Sequence, residues 1–128
     1  GIGGRVIDLT AEITPEENCH AVTLKLAANE KHFTTLTYEP RSAKLTLDRT
    51  YAGGLYQDIV HTRSCKIRTP GKTLKLRVLL DYNSVEVFIN EGEQTMTACI
   101  YTPRDAEGIL FEADGKARVT VEQYALNL

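Results

Sequence analysis

The sequence predicts an all-β protein, an antiparallel sandwich or barrel. Two observations carry this. Polar and apolar residues alternate with a period of two from end to end, and clusters of turn-forming residues break the alternation at short, regular intervals. Many short strands spaced in this way are the signature of sheet packed on sheet, and helical periodicity is almost absent.

The elements follow in order. "RVIDLTAEI" (5–13) sets Val6, Asp8, Thr10 and Glu12 against Ile7, Leu9, Ala11 and Ile13. A short helical turn is expected near 14–18, where Pro15 follows Thr14. "AVTLKLAA" (21–28) places Val22, Leu24 and Leu26 on one side and Thr23 and Lys25 on the other. Further strands are expected at 33–38, 43–48, 58–65, 73–80, 84–89, 94–100, 108–113 and 117–126. Between them stand "TPEEN", "AANEKH", "EPRS", "YAGG", "TPGK", "DYNS", "NEGE", "TPRDAEG" and "ADGK". No linker or internal repeat divides the chain, which reads as one domain.

Residues 74–98 also predict a register. If Asp81–Ser84 form a loop, Leu80 faces Val85, Val78 faces Val87 and Leu76 faces Ile89. A turn at Asn90–Glu93, with Gly92 free to take a positive φ, then sets Val87 against Met96 and Val85 against Ala98. Both turns yield one apolar face, which is what fixes a register. The opposite face collects Arg77, Leu79, Glu86, Phe88, Thr95 and Thr97, with Glu86 across from Leu79 and within diagonal reach of Arg77.

Chemistry is sparse. A glycosidase needs two carboxyl groups about 5–9.5 Å apart across a cleft, yet Asp81, Glu91 and Glu93 fall in turns and do not converge on Glu86. Glu86 is therefore expected to act structurally, paired with Arg77. His20, His32 and His61 lack ligand spacing, so neither a metal nor a cofactor is expected. The formal net charge is −2, with no basic patch beyond the alternating "KIRTPGKTLKLR" (66–77), so neither nucleic acid nor a membrane is expected as partner. Cys19, Cys65 and Cys99 are odd in number and lie in or beside apolar segments, which predicts buried free thiols. Trp is absent, but Tyr51, Tyr56 and Tyr82 fall in or near loops, where a ring can meet a sugar. "GIGGRVIDL" does not read as a signal peptide, and so abrupt a start predicts a piece of a longer protein.

Certain stretches carry a family resemblance. "LTLDRTYAGG" (45–54), "HTR" (61–63), "LKLRVLLDYNSVEVFINEGEQTMTACIYTP" (74–103) and the closing "ILFEADGKARVTVEQYALNL" resemble the C-terminal domain of glycoside hydrolase family 32. That family contains invertases, sucrose-6-phosphate hydrolases, levanases and inulinases. The matching residues are Asp48 and Arg49 ahead of Gly53 and Gly54, Arg63, Asp81, Ser84, Glu86, Phe88 and Gly92.

The resemblance implies a concanavalin- or lectin-like jelly-roll sandwich that follows a five-bladed catalytic propeller. The propeller's WMNDPNG-like, RDP and EC motifs do not occur: "PRD" (103–105) has another order, and "ENC" (17–19) is interrupted. No catalytic residue carries over, and the matching residues are expected to be structural. The implied role is an accessory, non-catalytic module of a retaining β-fructofuranosidase. Its implied partners are the propeller and a second copy of the chain; the rival reading is an oligosaccharide-binding module. Cytoplasmic placement is implied for a sucrose-6-phosphate hydrolase and secretion for a levanase or inulinase.

Overall fold

The structure, a computed structural model, describes residues 3–53, 61–68 and 70–126. Ten strands are found there: β1 (Ile7–Pro15), β2 (Ala21–Ala28), β3 (Thr34–Glu39), β4 (Lys44–Asp48), β5 (Thr62–Lys66), β6 (Leu74–Leu80), β7 (Ser84–Ile89), β8 (Gln94–Cys99), β9 (Gly108–Asp114) and β10 (Ala117–Ala125). They form two five-stranded antiparallel sheets, ordered β10-β1-β6-β7-β8 and β5-β4-β3-β2-β9. The chain crosses between sheets after β1, β5, β8 and β9. The expected antiparallel sandwich is thus what forms.

Alternation explains the core. In β1, Ile7, Leu9, Ala11 and Ile13 are buried while the residues between them face outward. Val78, Leu80, Val85, Val87 and Ile89 meet Leu24, Leu26, Leu36, Leu45 and Leu47 of the other sheet in one cluster. Each large aliphatic side chain buried there contributes about 1.5–3 kcal/mol. The register read from residues 74–98 is the one observed: Leu80 faces Val85, Val78 faces Val87, Leu76 faces Ile89, Val87 faces Met96 and Val85 faces Ala98. Gly92 has φ of +88° in the turn that follows β7.

Three expectations are corrected. No helical turn forms at 14–18: β1 continues to Pro15, and a single tight turn follows, Cys19 N–H donating to Glu16 O at 2.9 Å. Pro15 suits that strand end, where a missing N–H costs no ladder bond. The strand expected at 58–65 is observed from Thr62 to Lys66, and residues 58–60 lie outside the described residues. The thiols also differ, because Cys19 is buried, Cys65 half-buried and Cys99 exposed. Cys99 shares the outward parity of Thr95 and Thr97 on β8, and that parity outweighs its apolar neighbours.

Candidate functional site

The strand ends place the expected residues in two regions. The first is the end of the sandwich where β4, β6 and β8 finish. Asp81 Oδ1 accepts from Asn83 N at 2.8 Å, Ser84 N at 2.7 Å and Ser84 Oγ at 3.1 Å, closing the β6–β7 turn. Asp48 repeats the device after β4, its Oδ1 accepting from Thr50 N at 2.8 Å and from Thr50 Oγ1. An aspartate can do this because its short carboxylate reaches the backbone two residues on. Arg49 then crosses between the sheets, donating from Nη1 to Cys99 O at 2.7 Å.

Arg5, which the sequence reading passed over, sits beneath these turns at 4% exposure. Its guanidinium donates to Asp81 O at 2.5 Å, Tyr82 O at 3.0 Å, Thr102 O at 3.0 Å and Pro103 O at 3.4 Å. Burial pulls its pKa below the ordinary arginine value, and the neighbouring Asp81 carboxylate opposes that shift. A signal was present: Arg5 shares the parity of Ile7, Leu9 and Ala11, so a charge stands in line with an apolar face.

Two of the loop tyrosines surround this knot. Tyr51 is 57% exposed and its ring lies 5.0 Å from that of Phe33. Tyr82 is 37% exposed beneath the Arg104 guanidinium, 4.3 Å from the ring centre. Tyr56 lies outside the described residues. Tyr101, 49% exposed, belongs to the same end, since its N–H donates to Ala52 O at 3.1 Å. Its exposure could have been read from its place beyond the last outward position of β8.

The second region is the outer face of the β10-β1-β6-β7-β8 sheet. Short Thr10 and Thr120 stand at its middle, and longer side chains rise on either flank. The result is an open groove of about 560 Å³ lined by Thr10, Glu12, Lys75, Arg77, Phe88, Thr120 and Glu122, with Glu91 and Gly92 at one end. Glu86 and Leu79 face each other on the same sheet surface. The expected Glu86–Arg77 pair does not form. Arg77 lies diagonal to a carboxylate on each neighbouring strand, and it takes Asp8 of β1 in a two-pronged contact, Nε to Oδ1 at 3.1 Å and Nη2 to Oδ2 at 2.7 Å. That hydrogen bonding holds the Asp8 carboxyl below the usual aspartate range, against a smaller opposing effect of burial.

The carboxylates of residues 81–93 stay apart, Asp81 at one end of β7 and Glu91 and Glu93 at the other. Glu91 meets Lys75 Nζ at 3.4 Å in the open. Glu12 and Glu122 both line the groove, but both are exposed and neither has the apolar enclosure that prepares a carboxyl group as a general acid. Arg63 is exposed on β5 opposite Leu47, one position in from the Asp48–Thr62 pair at the edge of the first region. The surface is equipped for contact, with an aromatic ring, alkyl stems and hydrogen-bonding groups side by side.

Comparison with known proteins bears on what that surface meets. The model of the family described as "Glycosyl hydrolases family 32 C terminal" matches residues 2–126. A probable sucrose-6-phosphate hydrolase of Vibrio cholerae is 42% identical over 86 residues, 67% of this chain and 15% of that protein. The sucrose-6-phosphate hydrolase of Staphylococcus xylosus is 37% identical over 107 residues, 83% of this chain and 21% of that protein. The chain therefore spans about a fifth or less of the curated relatives it matches. Among solved structures, the exo-inulinase of Aspergillus awamori superposes with a TM-score of 0.88 at 22% identity, covering 99% of this chain and 26% of that one. At that identity the likeness concerns the fold.

Proposed function

The chain belongs to the C-terminal family of the glycosyl hydrolases of family 32, and from that premise we propose that it is the accessory, non-catalytic sandwich of a β-fructofuranosidase. The whole protein hydrolyses a fructose-terminated glycoside with retention, and the names of the two bacterial relatives favour sucrose-6-phosphate over free sucrose or fructan. The sandwich docks on the catalytic propeller, stabilises it and contributes to self-association.

The observation that supports docking is the outer face carrying Leu79, Glu86 and Phe88 beside the charged flanks of the groove. Interfaces between domains of one chain mix polar and apolar groups in this way and are more polar than a core. The absence of the propeller's catalytic motifs, together with the exposure of Glu12 and Glu122, supports the non-catalytic role. The test has two arms. The purified 128 residues are assayed on sucrose, sucrose-6-phosphate and inulin, and any turnover overturns the non-catalytic reading. The separately produced propeller is titrated with this chain, and Phe88→Asp is expected to weaken its capture about tenfold or more, as loss of a buried aromatic anchor does. Undiminished capture rejects this face as the dock.

A second reading is supported by the exposure of Tyr51 and Tyr82 at the loop end. There the chain binds an oligosaccharide by ring stacking, with Tyr56 a further candidate. Titration with levan and inulin fragments, followed by NMR with Tyr51→Ala and Tyr82→Ala controls, tests it. Unmoved spectra at millimolar sugar overturn it.

A further inference from the structure

We propose that the free edge of β10 pairs with the same edge of a second copy of this chain, about a two-fold axis at Thr120. The inference gives a site to the self-association named above and does not rest on propeller docking.

Among the described residues β10 ends its sheet and is paired along one side only, to β1. The bonds at its two ends fix which backbone groups are used. Glu16 N–H donates to Lys116 O at 2.8 Å, and Leu126 N–H donates to Val6 O at 3.1 Å. Bonding alternates along an antiparallel pair, so the even-numbered residues of β10 bond to β1. Ala117, Val119, Val121 and Gln123 turn their N–H and C=O groups outward. Such a row is a template for another strand.

The side chains say which strand. Arg118 and Glu122 flank Thr120 on the exposed face, and neither forms an ion pair among the described residues. An antiparallel copy with Thr120 opposite Thr120 sets Arg118 against the partner's Glu122 twice. On the inner side, half-buried Val119 meets the partner's Val121, also twice. The facing charges occupy non-hydrogen-bonded positions, where side chains across a pair come closest. Centring the axis on Val121 sets Arg118 against Tyr124 and Thr120 against Glu122, and both ion pairs vanish. Centring it on Val119 sets Glu122 against Lys116, outside the strand, and overlaps only residues 117–121, against 117–123 about Thr120. Charge and strand overlap together therefore select the register. The interface is isologous and closes at two copies.

Sedimentation velocity on the whole protein tests this. The expected result is a dimer that dissociates on dilution. Arg118→Glu and Glu122→Arg each replace two attractive contacts with two repulsive ones, raising the dissociation constant about tenfold or more. The double variant R118E/E122R restores the wild-type constant. Val121→Pro removes an outward N–H without touching the β1 ladder, so it abolishes the dimer while the circular dichroism spectrum is unchanged. A monomer throughout the micromolar range overturns the proposal and leaves Arg118 and Glu122 as charges that keep the edge single. So does a dimer indifferent to these variants, or a double variant no tighter than the single ones.

Discussion

Arg77 grips Asp8 across β6 and β1, Nη2 to Oδ2 at 2.7 Å, and leaves Glu86 on its other side without it. The Asp8 side chain is 18% exposed and that of Arg77 is 55% exposed. The pair is therefore a surface contact of good geometry whose contribution solvent screening keeps small.

Its pH dependence has a definite sign. The Asp8 carboxyl is held below its ordinary range by the Arg77 hydrogen bonds. Its contribution is complete above the unfolded-state value, about 3.9, and is lost as the pH falls through the lower folded value. Urea unfolding at pH 7 is expected to place Asp8→Asn below wild type, with the gap narrowing below about pH 4. Glu86→Ala is expected to stay within about 0.5 kcal/mol of wild type, the usual range for a surface change where no partner is lost, and Glu86 has none among the described residues. A gap that widens in acid contradicts the assignment.

Arg5 supplies four main-chain oxygens from one buried group. Arg5→Met fills much of the volume but leaves those carbonyls without donors, which costs about 2–4 kcal/mol in chemical denaturation. Hydrogen exchange should speed up first at residues 81–84 and 100–103. Exchange that rises uniformly instead points to a general loss of packing.

Two glycines with positive φ separate conformation from space. Gly92 has φ of +88° and nothing near an added Cβ, whereas at Gly53, with φ of +84°, a Cβ stands 2.7 Å from Tyr101 O. Gly92→Ala should cost about 1 kcal/mol, the penalty for a left-handed alanine. Gly53→Ala should cost more, because the backbone ahead of it must also move. Thermal midpoints in the opposite order refute the contact.

The three thiols differ in access. Cys99 is exposed, Cys65 is half-buried with its Sγ 3.7 Å from Met96 Sδ, and Cys19 is buried. Burial also pushes the Cys65 thiol pKa up, with Arg68 opposing, so less thiolate is available there. Maleimide labelling with peptide mapping should modify Cys99 first and Cys19 only on unfolding. Early loss of Cys19 contradicts this order.

Strand positions and the β6–β7–β8 register were legible because short turns tie neighbouring strands together and alternation then allows one solution. What joins distant segments was not. The choice of Asp8 over Glu86 depends on β1 lying beside β6, a pairing 69 residues apart along the chain. Alternation says which face a residue takes but not which strand becomes its neighbour. At the loop end, the Asp48 and Asp81 turns were readable as local chemistry, while the carbonyls that Arg5 serves come from segments roughly 75 to 100 residues away. The thiol at Cys99 was misread where apolar neighbours were given more weight than parity.

β1 precedes the other nine described strands along the chain and has its place between β6 and β10, the sixth and the tenth. Pairings so distant along the chain slow folding, since each must close a long loop before it is rewarded. During synthesis Ile7, Leu9, Ala11 and Ile13 emerge before β6 and gain their first sheet neighbour only when it is made, and their second only with β10. Of the ten strands β1 waits longest for both of its neighbours, so its apolar row is a stretch of the nascent domain that a chaperone would hold.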